Sequence, residues 1–133
     1  MLSGKASPSR PPLKHRLAAA GITGLVLQGS NGEAAHLTHQ ERSLTVRTVR
    51  HALDDAGYSH LPIIVGTGAP SVRETVLLCK QVTPSLGTID RQAHNDGGNY
   101  VIVLPPCYFM TLMTEDALLD YFWSVSYSPS GYN

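Results

Sequence analysis

An α/β fold with parallel strands follows from three observations on this 133-residue sequence. First, three short apolar runs each stop at small or turn-forming residues. Leu25-Val26-Leu27 leads to Gly29-Ser30-Asn31-Gly32, Leu61-Pro62-Ile63-Ile64-Val65 to Gly66-Thr67-Gly68, and Tyr100-Val101-Ile102-Val103-Leu104 to Pro105-Pro106-Cys107-Tyr108. Second, each run is followed by a helix-start signal, so the order is strand, loop, helix, repeated. Parallel strands need such crossovers, and the crossovers cover the sheet. Third, residues 34–37 separate Glu33 from the next cap, whereas a doubly wound sheet normally opens its helix directly at the glycine-rich turn. The expected architecture is therefore a partial (β/α)8 TIM barrel of about three β-α units, with binding groups on the loops at the carboxyl ends of the strands.

The elements can be taken in order. Residues 1–12 carry Lys5 and Arg10 among serines and prolines and offer no apolar run, so they are read as a disordered or misassigned start. Lys14 and Arg16 follow, and the first acidic residue is Glu33. An organellar presequence is the alternative, opposed by Pro8, Pro11 and Pro12, which interrupt any amphipathic helix. Residues 13–20 predict a short helix ending at Gly21. Leu25 to Leu27 predict a strand buried on both faces.

Thr38-His39-Gln40-Glu41 fits a capping box, as does Ser71-Val72-Arg73-Glu74 before a helix of about residues 72–81. Residues 82–92 have neither strand nor helix periodicity and look inserted. Thr114, with Glu115 and Asp116 in the following turn, starts a helix over about residues 115–125. Its Tyr121-Phe122-Trp123 cluster is expected to meet the sheet. Residues 128–133 form an irregular tail, and the single domain is 13–127.

Composition restricts the partners. With 42% hydrophobic and 15% charged residues and a formal net charge of zero, the chain gives no electrostatic reason to expect nucleic acid or an anionic membrane. No apolar run is long enough to span a bilayer. Cys79 and Cys107 stand at no ligand spacing and are expected as reduced thiols, so the cytoplasm is the expected compartment, with the mitochondrion as the alternative.

The Gly29 to Gly32 turn is the strongest candidate site. A carboxylate needs convergent donors in a water-poor pocket, and such a turn supplies backbone amides and a hydroxyl without bulk. A serine and a tyrosine can pass a proton between them at neutral pH without net charge. The plainer reading is a set of tight βα turns. His36 and His39 flank Thr38 with no second ligand cluster, so no metal is expected. His51, His60 and His94 read as solvated, Glu33 as a brace accepting loop amides, and Cys107 as a neutral packed thiol.

Four ordered motifs carry a resemblance: residues 24–33, Leu37-Thr38 with Glu41-Arg42, Val65-Gly66-Thr67-Gly68, and Val103-Leu104-Pro105-Pro106-Cys107-Tyr108. Together they resemble the dihydrodipicolinate synthase and N-acetylneuraminate lyase family. The Gly-Ser-Asn-Gly-Glu variant is most similar to its 4-hydroxy-2-oxoglutarate aldolase and fungal 2-keto-3-deoxy-sugar-acid aldolase branches. The resemblance spans about residues 13–81 and 93–127.

It implies a barrel, usually tetrameric, in which a lysine forms a Schiff base with pyruvate or a related 2-oxo acid, without cofactor. It further implies that Gly29, Ser30 and Asn31 hold the 2-oxo acid carboxylate. Ser30, Tyr108 and Tyr132, the last echoing a second relay tyrosine, would carry protons. The family's reactive lysine has no counterpart among Lys5, Lys14 and Lys80. The chain is accordingly expected to be a truncated part of a lyase or aldolase, inactive alone. The alternative is a non-catalytic remnant or incomplete gene product that binds a small carboxylate or a full-length paralogue. A nucleotide-binding α/β module is the remaining, weaker reading.

Overall fold

A computed structural model describes residues 13–82, 96–108, 111 and 113–127, with backbone alone for 13–15. The expected start at 1–12, nearly all of the expected insertion, and the tail with Tyr132 lie outside the described residues. The elements are α1 (Leu13–Ala19), β1 (Leu25–Leu27), α2 (His39–Asp55), β2 (Ile63–Gly66), α3 (Val72–Val82), β3 (Tyr100–Ile102) and α4 (Glu115–Tyr127).

The strands form one parallel sheet in chain order, β1-β2-β3. Leu25 stands opposite Ile63 and Leu27 opposite Val65, while Val65 stands opposite Val101 and Gly66 opposite Ile102. A doubly wound sheet would reverse its strand order and place helices on both faces. Here the order does not reverse, and the helices pack on one face: Leu25, Ile63 and Val65 meet Ala18, Val46, Leu53 and Val82 in a single cluster. Val46, Leu53, Ile63 and Val65 are fully buried.

The opposite face corrects the expectation that β1 is buried on both sides. Val26 is 57% exposed and Tyr100 61% exposed, with Ile102 exposed beside them. Alternation along a strand sends these side chains away from the helices. The expected helix starts are present. Gly21 closes α1 at φ +83°, and Thr114 Oγ1 accepts from the Ala117 amide at 3.2 Å. At α3 only half of the expected capping box forms, since Ser71 Oγ accepts from the Glu74 amide at 3.2 Å while the Glu74 carboxylate pairs with His39.

At α2 the capping box is reciprocal: Thr38 accepts from the Glu41 amide while the Glu41 carboxylate accepts from the Thr38 amide at 2.9 Å. The bonds that the carboxylate accepts, first from the Thr38 amide and then from the Thr38 hydroxyl at 2.9 Å, hold the Glu41 carboxyl below its usual range. A carboxylate depressed in the folded state stabilises it fully above the unfolded pKa, and that contribution disappears as pH falls through the folded value. Glu41→Gln is therefore expected to lower the urea midpoint at pH 7 and to lower it less at pH 3. Equal losses at both pH values would contradict the box.

Candidate active site

All three candidate loops leave the sheet at the same rim, because β1, β2 and β3 are adjacent and parallel. After β1, Gln28 adopts a left-handed conformation at φ +57°, which ends the strand and turns the chain over the rim. Gly29 follows in extended geometry and residues 30–32 form a 3-10 turn. Within it the Gly32 amide donates to Gly29 O at 2.8 Å and the Glu33 amide to Ser30 O at 3.3 Å. The amides of Gly29, Ser30 and Asn31 take no partner among the described residues, and the Ser30 and Asn31 side chains are exposed.

After β2 the backbone runs against both neighbouring loops. A Cβ on Gly66 would stand 2.0 Å from Gln28 O, and one on Gly68 would stand 2.7 Å from Leu104 N and O. The Thr67 amide donates to Ile102 O at 3.0 Å. Its hydroxyl turns away from the rim, to within 3.1 Å of Cys79 Sγ in the helix layer. Burial raises the Cys79 thiol above its ordinary pKa, with the Thr67 contact opposing.

The next turn is tied to α3 and α4 by hydroxyls. Thr75 Oγ1 lies 2.6 Å from the Tyr121 hydroxyl, which donates to Ala69 O at 3.0 Å, while the Ala69 amide donates to Thr75 Oγ1 at 3.0 Å. After β3, Pro106 is buried and Tyr108 stands 77% exposed at the rim. Ser30 and Tyr108 thus lie on one rim, on loops that flank the central strand. Tyr132 lies outside the described residues.

Two charged side chains work beneath this rim. Arg42 on α2 donates from Nη2 to Gly66 O at 2.6 Å and from Nε to Gln28 Oε1 at 3.2 Å, and Gln28 Nε2 donates back to Arg42 O at 2.7 Å. Burial pulls the guanidinium below its usual pKa, opposed by the Glu74 carboxylate. Glu74 also pairs with His39, joining the first turns of α2 and α3.

Several expectations change. Glu33 does not brace the loop: it sits at φ +50° with an exposed side chain. Cys107 is exposed rather than packed, although its neighbour Pro106 is buried. Of the aromatic cluster on α4 only Tyr121 is buried. Phe122 and Trp123 face outward, where Trp123 stacks on Tyr127 with centroids 4.3 Å apart. Gln28 was not singled out from sequence. Its one available signal was a polar residue closing an apolar run, since it is buried. Among the described residues no three His, Cys, Asp or Glu side chains come together as metal ligands, and no helix is long and apolar enough to cross a membrane.

Residues 13–125 match the model of the Dihydrodipicolinate synthetase family. The chain belongs to that family. It is 49% identical over 110 residues to a protein of Emericella nidulans described as a probable mitochondrial 4-hydroxy-2-oxoglutarate aldolase, covering 83% of this chain and 32% of the relative. It is 39% identical over 112 residues to the L-threo-3-deoxy-hexylosonate aldolase of Aspergillus niger, covering 84% of this chain and 30% of that protein.

Among solved structures, a dihydrodipicolinate synthase family protein from Coccidioides immitis superposes with TM-score 0.65 at 31% identity, covering 87% of this chain and 32% of the other. A prophage protein of the family from E. coli K12, solved in complex with pyruvate, gives TM-score 0.63 at 28% identity, covering 85% and 32%. The chain spans about a third of the length of these relatives. Its described residues form three β-α units of a (β/α)8 barrel.

Proposed function

We propose that this member of the dihydrodipicolinate synthetase family supplies the carboxylate-holding rim of a Schiff-base lyase or aldolase. The reaction makes or cleaves a carbon–carbon bond next to a pyruvate-type 2-oxo acid. The observation that carries this reading is the row of amides at Gly29, Ser30 and Asn31, without partners among the described residues and on the same rim as Tyr108. A carboxylate accepts several such donors at once, and hydrogen bonds to a charged acceptor are the stronger kind.

In this reading Gly29, Ser30 and Asn31 orient the acid so that its ketone faces the reacting amine. The Schiff base supplies the electron sink for the carbanion that develops when the bond breaks. The Ser30 hydroxyl and the Tyr108 phenol, with Tyr132 as a further member, pass protons to and from the reacting carbons without carrying net charge. Both lysines among the described residues lie on helices, Lys14 in α1 and Lys80 in the last turn of α3, and neither is at a strand's carboxyl end. The reactive amine is therefore assigned outside the described residues. The aldolase names of the Emericella and Aspergillus relatives, and the pyruvate complex of the E. coli protein, support the substrate class. The first of those names also supports the mitochondrion as the compartment.

Pyruvate added to the 133-residue chain is expected to shift the amide resonances of Gly29, Ser30 and Asn31. Ser30→Ala should weaken binding roughly ten- to a hundredfold, the value of a lost hydrogen bond to a charged group. Absence of any pyruvate-dependent shift in the unsubstituted chain would overturn the carboxylate assignment. Borohydride with pyruvate is expected to leave this chain unlabelled, and covalent labelling would place the reacting amine within it.

A further inference from the structure

We infer that Gln28 and Arg42 are positioning residues that detach the Gly29 amide from the β-sheet ladder and hold it open for the ligand carboxylate. The inference rests on the reading above and deepens it.

The ladder itself shows where the Gly29 amide would otherwise go. In a parallel pair each residue donates to the carbonyl just before its partner, and the donors recur at every second residue. Leu25, opposite Ile63, donates to Pro62 O at 3.0 Å. Continued past Leu27 and its partner Val65, the same rule assigns the Gly29 amide to Gly66 O. That bond is not made. Gly66 O accepts from Arg42 Nη2 at 2.6 Å instead, and the Gly29 amide takes no partner among the described residues.

Two features prevent the ladder from closing. Gln28 sits at φ +57°, which flips the following peptide out of the ladder orientation, so that its carbonyl oxygen lies over Gly66, 2.0 Å from where a Cβ would stand, and the Gly29 amide no longer meets Gly66 O. A left-handed residue other than glycine is unfavourable by roughly 1–2 kcal/mol, so something must hold it. The clamp does so: Gln28 Nε2 donates to Arg42 O at 2.7 Å and Gln28 Oε1 accepts from Arg42 Nε at 3.2 Å. The side chain of Gln28 is buried and reaches a helix 14 positions further along the chain. Arg42 therefore does two things with one guanidinium, satisfying the carbonyl that the ladder gave up and fixing the residue that broke it. Glycine at position 28 would reach the same φ but could not form the clamp.

The test uses amide hydrogen exchange and pyruvate titration on the full 133-residue chain. In the unsubstituted chain Gly29 should exchange much faster than Gly32, whose amide is bonded to Gly29 O. In Arg42→Met, Gly66 O is free to recapture Gly29, so Gly29 exchange should slow at least tenfold relative to Gly32 and pyruvate affinity should fall at least tenfold. Gln28→Ala should lower pyruvate affinity in the same way. Arg42→Lys can still donate to Gly66 O and should recover part of the loss, and it carries the comparison if the methionine variant does not fold. Unchanged Gly29 exchange and unchanged pyruvate affinity in the folded variants would overturn the inference. If the unsubstituted chain ignores pyruvate, the carboxylate reading fails by itself, while the Gly29 exchange comparison still decides whether the clamp holds the ladder open.

Discussion

Gly66→Ala is expected to destabilise the chain by about 3 kcal/mol or more, beyond the usual range for overpacking, because the atoms it meets cannot swing aside. A Cβ at this position would lie 2.0 Å from Gln28 O and 2.7 Å from Gln28 C, both backbone atoms. The conflict is one of space alone, since Gly66 is not among the positive-φ glycines. Relief would require β1 and β2 to separate at the rim where Leu27 and Val65 pair. That movement would also disturb the hydrogen bond from Arg42 to Gly66 O.

Gly32 provides the control. Nothing lies within 4 Å of its would-be Cβ and its φ is ordinary, so Gly32→Ala should fall within about 0.5 kcal/mol of the parent, as surface substitutions do. Urea unfolding of the two variants makes the comparison, and similar losses would show that the β1 and β2 ends do not pack as described. If Gly66→Ala retains a fold at all, its Gly29 to Asn31 amides should no longer respond to pyruvate as a group.

The difference between these two glycines marks the limit of what the sequence made legible. Both stand in glycine-rich turns after apolar runs, and the turns were readable because β-branched and leucine-rich runs end there. The capping residues Thr38, Ser71 and Thr114 were equally readable, since a cap is a local interaction across three residues. Parallel pairing followed from the repeated strand, loop and helix order, and with it the placing of Ser30 and Tyr108 on one rim.

What was not readable depends on contacts between distant positions. Gln28 looked like the polar end of a strand, whereas its conformation and burial come from a clamp with Arg42 on a separate element. Val26 and Trp123 carry the periodicity of covered faces but are exposed among the described residues. Periodicity says which side chains share a face and is silent about what lies on that face. Cys107 has apolar neighbours in sequence, yet it stands exposed beside the buried Pro106.

Arg47→Met is the second large effect, expected at about 3 kcal/mol, the lower end of the range for breaking a buried ion pair because Arg47 itself is partly solvated. Asp96, on the segment entering β3, is 2% exposed, and its Oδ1 accepts from Arg47 Nη1 at 3.0 Å. Its Oδ2 has no partner among the described residues. Without Arg47 the carboxylate would remain buried with its charge uncompensated, and a methionine of similar length supplies packing but no donor.

The segment has little freedom to move in compensation. Gly97, at φ +88°, leaves 2.5 Å between its would-be Cβ and Arg50 Cγ, and Asn99 pairs with Ile63 through both its amide and its side-chain oxygen. Adding Asp96→Asn to Arg47→Met should recover most of the loss, because a neutral amide is far less costly to bury than an unpaired charge. A double-mutant cycle by urea unfolding measures the coupling directly, and additive losses would mean that the pair contributes no coupling to stability. The pair sits where chain enters β3, at the end of the sheet opposite Ser30 and Tyr108. The folded fraction of either variant should therefore bind pyruvate as the parent does, which separates loss of the fold from loss of the rim.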